Sequence, residues 1–275
     1  MNPEAILTAA KIIRTSNALL ITAGAGMGVD SGLPDFRGPQ GFWRAYPAYQ
    51  KLGLRFEELA NPRWFERDPE LAWGFYGHRM NLYRATKPHA GFDILKKWSA
   101  RMPQGTFIIT SNVDGHFQGT GFDPNTVFEV HGSIHHAQCL KLCGSEIFSA
   151  LKFNVTVDPE TFRASPPLPS CPECGGLARP NILMFGDGDF DHARAAEQKE
   201  RLQQWLAQVD DGFAVLELGA GSNVPTIRVM NMGMTLTHDA RLIRINPREA
   251  GVESDQIGIE EGALEALRAI ETLLT

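Results

Sequence analysis

The chain has 275 residues, of which 43% are hydrophobic and 21% charged, an ordinary composition for a globular protein with a large core. Its 26 Lys and Arg residues against 32 Asp and Glu residues give a formal charge of −6, which argues against a protein that binds nucleic acid through a basic surface. The longest apolar runs, such as 18–21 and 213–218, are far too short to span a membrane, and the first five residues lack the basic segment of a secretory signal. The sequence therefore predicts a cytoplasmic protein with no membrane association.

The first predicted elements are a helix, a strand and a glycine-rich turn. Apolar residues at helical spacing predict a helix over 3–16, and an apolar run predicts a buried strand over 18–22. Gly24, Ala25 and Gly26 follow this strand directly. A buried strand that leads into such a turn is typical of a dinucleotide site, but the third glycine of the usual fingerprint is missing. The turn alone is thus equally compatible with an ordinary strand-to-helix connection.

The loop after this turn has its own chemical character. It spans 31–38 and carries Asp35, Phe36 and Arg37 between fixed Gly and Pro positions. An apolar ring beside a guanidinium suits a ligand with a flat ring and a diphosphate. The loop therefore strengthens the prediction of a dinucleotide site.

The rest of the chain alternates between strands and helices. Further buried strands are predicted at 106–110, 127–130, 182–185, 213–218 and 241–245. Helical patterns are predicted at 90–101, 192–208, 225–234 and 260–274. This alternation predicts an α/β fold, with a Rossmann-like parallel sheet and helices on both faces.

Two segments interrupt the alternation. Residues 41–90 are rich in aromatic side chains and helical in pattern, and residues 134–180 hold all four cysteines and a Pro-rich run. We expect them to form a helical module and a zinc-binding module, which together make a small domain. The remaining segments, 1–40, 91–133 and 181–275, are then the Rossmann-like domain that binds the dinucleotide.

The cysteines form two close pairs. Cys139 and Cys143 are separated by three residues, Cys171 and Cys174 by two, and 27 residues lie between the pairs. Two short loops that each aim two thiolates at one point are typical of a closed tetrahedral zinc site, whereas disulfides are rare in proteins without an export signal. The sequence predicts one structural zinc ion per chain, with the neighbouring His135 and His136 as ordinary polar residues.

Taken in order, the motifs resemble the sirtuins, a family of NAD-dependent protein deacylases. The resemblance rests on the segments 24–38, 110–114, 130–132, 183–187, 219–222 and 245–246 together with the two cysteine pairs. It covers about residues 18–275. The resemblance implies a Rossmann-like domain with a small lobe, and NAD and an acylated protein lysine meeting in the cleft between them.

The resemblance also implies roles for individual residues. His131 and Asn112 match catalytic positions, and a histidine suits a step that needs a base titrating near neutrality to activate a ribose hydroxyl. The residues implied in cofactor binding are Gly24, Ala25, Gly26, Asp35, Phe36, Arg37, Ser111, Asn112, Val113, Asp114, Gly219, Ala220, Gly221, Ser222 and Asn246. The residues implied in holding the substrate backbone are Met184, Phe185 and Gly186, through pairing of extended chains.

The sequence also departs from the family pattern. Gly28 and Ser111 stand where the family usually has Ser and Gln, and Arg248 stands where an acidic residue is common. In the segment 219–221, two hydroxyls of the usual pattern are absent, and each loss removes a hydrogen bond worth about 0.5–1.5 kcal/mol. Two alternatives to a deacylase therefore stay open: a protein mono-ADP-ribosyltransferase that uses NAD, and a non-catalytic NAD-binding module.

Tyr76 and Arg79 bear on the acyl group. They are three residues apart in a predicted helix and so share one face. This spacing resembles the Tyr-x-x-Arg pair of sirtuins that remove acidic acyl groups such as succinyl. A phenol and a guanidinium can both bond to a carboxylate, which an apolar pocket rejects. The alternative is a core tyrosine beside a solvated arginine.

Overall fold

A computed structural model of the chain describes residues 2–34, 46–47, 50 and 53–275. Its centre is a six-stranded sheet in the order β3-β2-β1-β7-β8-β9, in which every neighbouring pair is parallel. A second sheet, β5-β4-β6, is antiparallel. The strands are β1 (Leu19–Ala23), β2 (Thr106–Thr110), β3 (Val127–Glu129), β4 (Gly132–Cys139), β5 (Phe148–Ser149), β6 (Ala178–Ile182), β7 (Ala214–Leu218), β8 (Arg241–Ile245) and β9 (Ile257–Ile259).

The helices lie between these strands. Within the described residues they are α1 (Pro3–Thr15), α2 (Gly26–Val29), α3 (Phe56–Leu59), α4 (Arg63–Arg67), α5 (Pro69–Ala85), α6 (Ala90–Ser99), α7 (His116–Gly119), α8 (Ala193–Leu206), α9 (Thr226–His238) and α10 (Ala263–Leu274). Among them, none combines the length with the apolarity that spanning a bilayer requires.

Both faces of the parallel sheet are covered. Successive residues of a strand point to opposite faces, and in β1 Leu19 and Ile21 belong to one buried cluster while Leu20 belongs to another. The first cluster contains residues of α1, α6 and α10, and the second contains residues of α8 and α9. The predicted α/β fold, with a Rossmann-like parallel sheet and helices on both faces, is confirmed.

A third buried cluster lies beside the second sheet. It joins aromatic residues of α4 and α5, such as Phe65, Trp73 and Tyr76, to Ile134 of β4 and Ile182 of β6. The indole nitrogen of Trp73 also donates to the carbonyl of Ala178, 3.0 Å away. The aromatic helices and the antiparallel sheet therefore share one core.

One predicted strand is displaced. The apolar run 182–185 predicts a buried strand, but the strand observed there is β6 (Ala178–Ile182), and Leu183 and Phe185 are exposed. β6 contains two fully buried polar side chains that have partners: Arg179 pairs with Asp187, and Asn181 donates to Gln138. Hydrophobicity therefore placed the start of this strand four residues, and its end three residues, too far along the chain.

Candidate active site

The carboxyl ends of the parallel strands bring the sequence motifs together. Gly24 follows β1, Ser111 follows β2, Gly219 follows β7 and Asn246 follows β8, while His131 lies just beyond β3. Because the strands are parallel, all these positions lie along one edge of the sheet, where ligands bind in open α/β folds. Motifs that are far apart in the sequence are thus neighbours in space.

Two glycine turns touch each other at this edge. Gly24 N–H donates to the Leu218 carbonyl, and Gly26 N–H donates to the Gly219 carbonyl. A Cβ on Gly24 would lie 2.7 Å from the Cα of Ala220, and one on Gly219 would lie 2.5 Å from the backbone of Gly26. Close packing of the two backbones therefore requires both glycines, while Ala25 between them is exposed.

Asn112 and Asp114 offer acceptor oxygens beside these turns. Asn112 Nδ2 donates to the Gly24 carbonyl at 3.0 Å, and Asp114 Oδ1 accepts from the backbone of His116 at 2.9 Å. The amide oxygen Oδ1 of Asn112 and the second carboxylate oxygen Oδ2 of Asp114 have no hydrogen-bond partner among the described residues. Acceptor oxygens suit the donor NH₂ of a carboxamide, so this end of the site fits a nicotinamide group. Val113, between the two residues, is buried.

His131 is half-buried at the same edge. Burial lowers the pKa of its imidazole, and a hydrogen bond with the backbone of Ser111 opposes this effect in part. Its Nε2 lies 3.3 Å from the hydroxyl of Thr226, the first residue of α9. The ring is therefore neutral at pH 7 and able to accept a proton.

The turn after β7 is held by side chains of the protein itself. Asn246 Nδ2 donates to the Ala220 carbonyl at 2.8 Å, and Asn246 Oδ1 accepts from the backbones of Arg248 and Glu249. Ser222 N–H donates to Glu249 Oε2 at 3.0 Å. Asn246 is fully buried and shapes the turn from below, whereas Gly221 is half-buried and Ser222 exposed.

The segment after β6 forms an exposed edge near His131. Leu183 N–H donates to the His131 carbonyl, and Phe185 N–H donates to the Ala60 carbonyl at 2.9 Å. Met184 is buried, its N–H bonding to Asp187 Oδ2, while Phe185 is 40% exposed. Gly186 has a φ of +68°, a conformation that favours glycine and turns the chain back toward Asp187.

Tyr76 and Arg79 of α5 are both buried. Arg79 is 8% exposed, which excludes the reading as a solvated arginine. Its Nε and Nη2 donate to the hydroxyl of Tyr83 at 3.0 and 2.7 Å, and its guanidinium carbon lies 5.8 Å from the ring of Phe56. The Phe56 ring is in turn 6.1 Å from that of Phe185. Arg79 thus lies one aromatic layer behind the exposed edge formed by the segment after β6. Burial raises the pKa of Tyr76, so its side chain stays a neutral phenol.

The four cysteines converge on one point. Their Sγ atoms all lie within 4.8 Å of one another, with Cys139 and Cys174 at 3.6 Å and Cys143 and Cys171 at 3.7 Å. A tetrahedral site with Zn–S bonds of about 2.3 Å has S···S edges of about 3.8 Å. Hydrogen bonds, first of all with Ser145, lower the pKa of the Cys171 thiol to about 6, whereas, against a bond from the Gly176 amide, the neighbouring thiols raise the pKa of Cys174 to about 11. The cluster therefore fits one zinc ion, and with four thiolates it leaves no open position.

Some assigned residues fall elsewhere. Asp35, Phe36 and Arg37 lie outside the described residues. His135 and His136 do not belong to the cysteine cluster, and the ring of His135 bonds instead to the Asp114 carbonyl at 2.9 Å. This contact supports the segment after β2 from behind.

Sequence reasoning missed three polar contacts of the site. Tyr83 bonds to Arg79 from one helical turn away, and the i, i+4 spacing of the two residues would have allowed this contact to be predicted. Thr226 and Glu249 were not within reach, because the first contacts a histidine 95 residues away and the second contacts an amide 27 residues away. Only the fold brings them to the sheet edge.

Comparison with known proteins places this site in a family context. The model of the Sir2 family matches residues 24–208 of the chain. The mitochondrial NAD-dependent protein deacylase sirtuin-5 of Danio rerio is 36% identical over 66% of this chain and 61% of its own length. NAD-dependent protein deacylase 2 of Pyrobaculum aerophilum is 36% identical over 66% of this chain and 64% of its own length. The chain thus spans less than two thirds of the length of these curated relatives.

Similarity over a longer stretch is also found. An NAD-dependent protein deacylase of Thermococcus sibiricus is 29% identical over 89% of this chain and 86% of its own length. Among solved structures, a Sir2 homologue in complex with NAD superposes with a TM-score of 0.73 and 26% identity, covering 98% of this chain and 95% of the other. The likeness in fold therefore extends over nearly the whole chain.

Proposed function

The chain belongs to the Sir2 family, and from this we propose that it is an NAD-dependent protein-lysine deacylase. The observation that carries the proposal is the contact of three motifs at one sheet edge. Asn112 donates to the Gly24 carbonyl, and the ring of His131 bonds to the backbone of Ser111. A dinucleotide turn, acceptors for a carboxamide and a neutral base are thereby adjacent.

The residues of this edge suit the two ends of NAD. When bound, NAD would supply an electrophilic ribose carbon with nicotinamide as leaving group, so that the acyl group passes to ADP-ribose. Asn112 and Asp114 would accept hydrogen bonds from the nicotinamide end, with Ala25, Ser111 and Val113 beside them. The adenosine half would lie against the turn 219–222, shaped by Asn246. Asp35, Phe36 and Arg37 keep the roles that the family resemblance implies.

His131 would act as the general base. Its pKa is lowered by burial, so the imidazole is neutral at physiological pH and can take a proton from a ribose hydroxyl. The edge formed by Met184, Phe185 and Gly186 would bind the backbone of an acylated protein segment through its carbonyl oxygens, because the amides of Met184 and Phe185 already bond to Asp187 and Ala60. It starts from the backbone of His131 itself, through the Leu183 amide, which would bring the substrate lysine toward the base.

His131→Ala tests the role of the base. We expect deacylation to fall about 10²–10⁴-fold, because the proposed general base is lost, with the melting temperature and NAD affinity nearly unchanged. His238→Ala, at the other end of α9, is the matched control and should keep its activity. A His131→Ala enzyme within a few-fold of the wild-type rate would contradict the assignment.

We further propose a preference for acidic acyl groups, such as succinyl. Arg79 is a buried guanidinium held by Tyr83 behind Phe56, and Tyr76 is a buried neutral phenol on the same helix. A carboxylate that reached this layer would find a charged donor among aromatic side chains. Charge-assisted hydrogen bonds of this type contribute about 1.5–3 kcal/mol.

Arg79→Met tests this preference. We expect kcat/KM for succinyl-lysine peptides to fall about tenfold or more, while acetyl-lysine peptides lose little because they have no carboxylate. Arg84→Met, five residues further along α5, is the control, since among the described residues Arg84 donates to the carbonyls of Ala150 and Phe153 and not to the Tyr83 hydroxyl. An unchanged ratio of the two activities would show that Arg79 is a structural residue.

Two further proposals concern the setting of the enzyme. The zinc ion would be structural, because four thiolates fill its coordination sphere and no position is left for a catalytic water. The cytoplasmic location stays a proposal. Its support is that the four thiols are arranged as metal ligands and not as disulfides, which suits a reducing compartment.

The second candidate function is protein mono-ADP-ribosylation. It is favoured by one observation, the turn 219–222, in which two usual hydroxyls are absent and the Ser222 amide bonds to Glu249. An altered adenosine site would change how ADP-ribose is held after nicotinamide has left. Loss of deacylation in His131→Ala with persistent labelling of protein by ADP-ribose would favour this function.

A further inference from the structure

Thr226 is the side chain that contacts the basic nitrogen of His131. Its Oγ1 lies 3.3 Å from Nε2, although the two residues are 95 positions apart. Thr226 is half-buried and begins α9, directly after Pro225. A hydroxyl can donate to the lone pair of a neutral imidazole, which is the form that a general base needs.

The contact of the His131 ring with the backbone of Ser111 determines which ring nitrogen carries the proton. The backbone of Ser111 raises the pKa of His131, as a carbonyl that accepts from a ring N–H does. A nitrogen that faces a carbonyl must carry the proton, which leaves the other nitrogen as the base. Within the described residues, the groups that contact the ring are the backbone of Ser111 and the hydroxyl of Thr226.

The start of α9 is firmly anchored. Two residues beyond Thr226, Arg228 donates to the carbonyls of Ala220 and Glu249 and pairs with the Glu249 carboxylate at 3.2 Å. One turn further, Asn231 Nδ2 donates to Glu217 Oε2 at 2.8 Å in the sheet. These contacts fix the first two turns of the helix against β7 and the adjoining turn, so the position of the threonine hydroxyl is fixed as well.

We propose that Thr226 is a positioning residue for His131, whose hydroxyl donates to Nε2 while Nδ1 carries the proton toward Ser111. The proposal rests on the proposed function, in which His131 is the base. The bond selects one tautomer and orients Nε2, and the ribose hydroxyl then replaces the threonine hydroxyl as the donor to the single lone pair of Nε2. Thr226 itself does not exchange a proton with the substrate.

Thr226→Val removes the donor and keeps the shape. We expect kcat to fall several-fold to about tenfold, as for the loss of one hydrogen bond, with little change in KM for the peptide. Since the neutral ring loses its donor, the pKa of His131 rises and the acidic limb of the pH–rate profile moves to higher pH. Thr226→Ser keeps the hydroxyl and should restore both, and Thr226→Ala serves if the valine variant does not fold.

Nitrogen-15 NMR of the histidine ring tests the proposal without any catalysis. In the wild-type chain His131, assigned with His131→Gln, should show the Nδ1–H tautomer, and its titration should move to higher pH in Thr226→Val. If the NMR result holds but no deacylation is found, only the proposed function fails. An Nε2–H tautomer in the wild-type protein, or a titration that is unchanged or lower in Thr226→Val, would overturn the role of Thr226.

Discussion

His89 shows how a buried histidine can depend on one protonation state. Its Nδ1 accepts from the Gly91 amide and so caps α6, while Nε2 lies 3.0 Å from the Met27 carbonyl. Burial lowers the pKa of His89, and the bond to Met27 and the charge of Asp30 oppose this in part. Protonation of Nδ1 would end the cap, so the folded chain holds His89 neutral.

Stability should therefore fall on the acidic side. A histidine whose pKa is lowered by folding binds fewer protons in the folded than in the unfolded state. Its contribution to the free energy of unfolding is therefore fully present above the ordinary pKa near 6.5, and it is lost as the pH falls through the lowered pKa of the folded state. His89→Asn keeps a capping side chain that does not titrate. We expect its urea midpoint to drop less between pH 7 and pH 5 than that of the wild type, and parallel drops would refute the role of His89.

At the scale of elements, the sequence predicted the central strands well because their apolar runs are unambiguous. β1, β2, β7 and β8 lie where hydrophobicity indicates, and all run in the same direction. The prediction was wrong at β6, whose Arg179 and Asn181 read as surface residues but are buried with polar partners. Helix α9 also runs four residues beyond its predicted end, since Gly233 and the threonines obscure the helical pattern.

The partner of Arg179 provides a prediction for the segment after β6, the proposed binding edge for substrate. Arg179 and Asp187 are 1% and 0% exposed, and Asp187 also accepts from the Met184 amide. Asp187→Asn leaves the guanidinium without a counter-charge in the core, so we expect a loss of about 3–5 kcal/mol in unfolding free energy and a raised KM for the acylated peptide.

Asp189→Asn is the control for this change. Its carboxylate is exposed two residues further along the chain, and the variant should match the wild type in both measurements. Equal stability of Asp187→Asn and the wild type in denaturant titrations would contradict the structural role of the pair.

At the scale of the whole molecule, parallel topology explains why the motifs could be recognised before their contacts. Each motif follows a strand, and the common direction of the strands brings them to one edge. The sequence could not supply the contacts that cross between elements, such as Thr226 with His131, because these depend on how α9 packs on the sheet. The division into a Rossmann-like domain and two inserted modules stays a prediction.

The zinc site should stabilise this molecule as a whole. Cys139 lies at the end of β4, and the second cysteine pair directly precedes β6, so the metal would join the two strands that carry the segment after β6. Cys171→Ser removes one thiolate, and we expect zinc content and melting temperature to fall together. Ser170→Ala, at the adjacent exposed position, should change neither. A zinc-free Cys171→Ser protein with wild-type stability and activity would refute a structural metal.

In the proposed function, this chain transfers an acyl group from lysine to ADP-ribose. The most direct measurement is mass spectrometry of the products formed by the wild-type chain from NAD with acetyl-lysine and succinyl-lysine peptides. We expect O-acyl-ADP-ribose, nicotinamide and deacylated peptide in equal amounts, with the succinyl peptide turned over faster. ADP-ribosylated protein without deacylated peptide, or unchanged NAD and peptide, would contradict the proposed function.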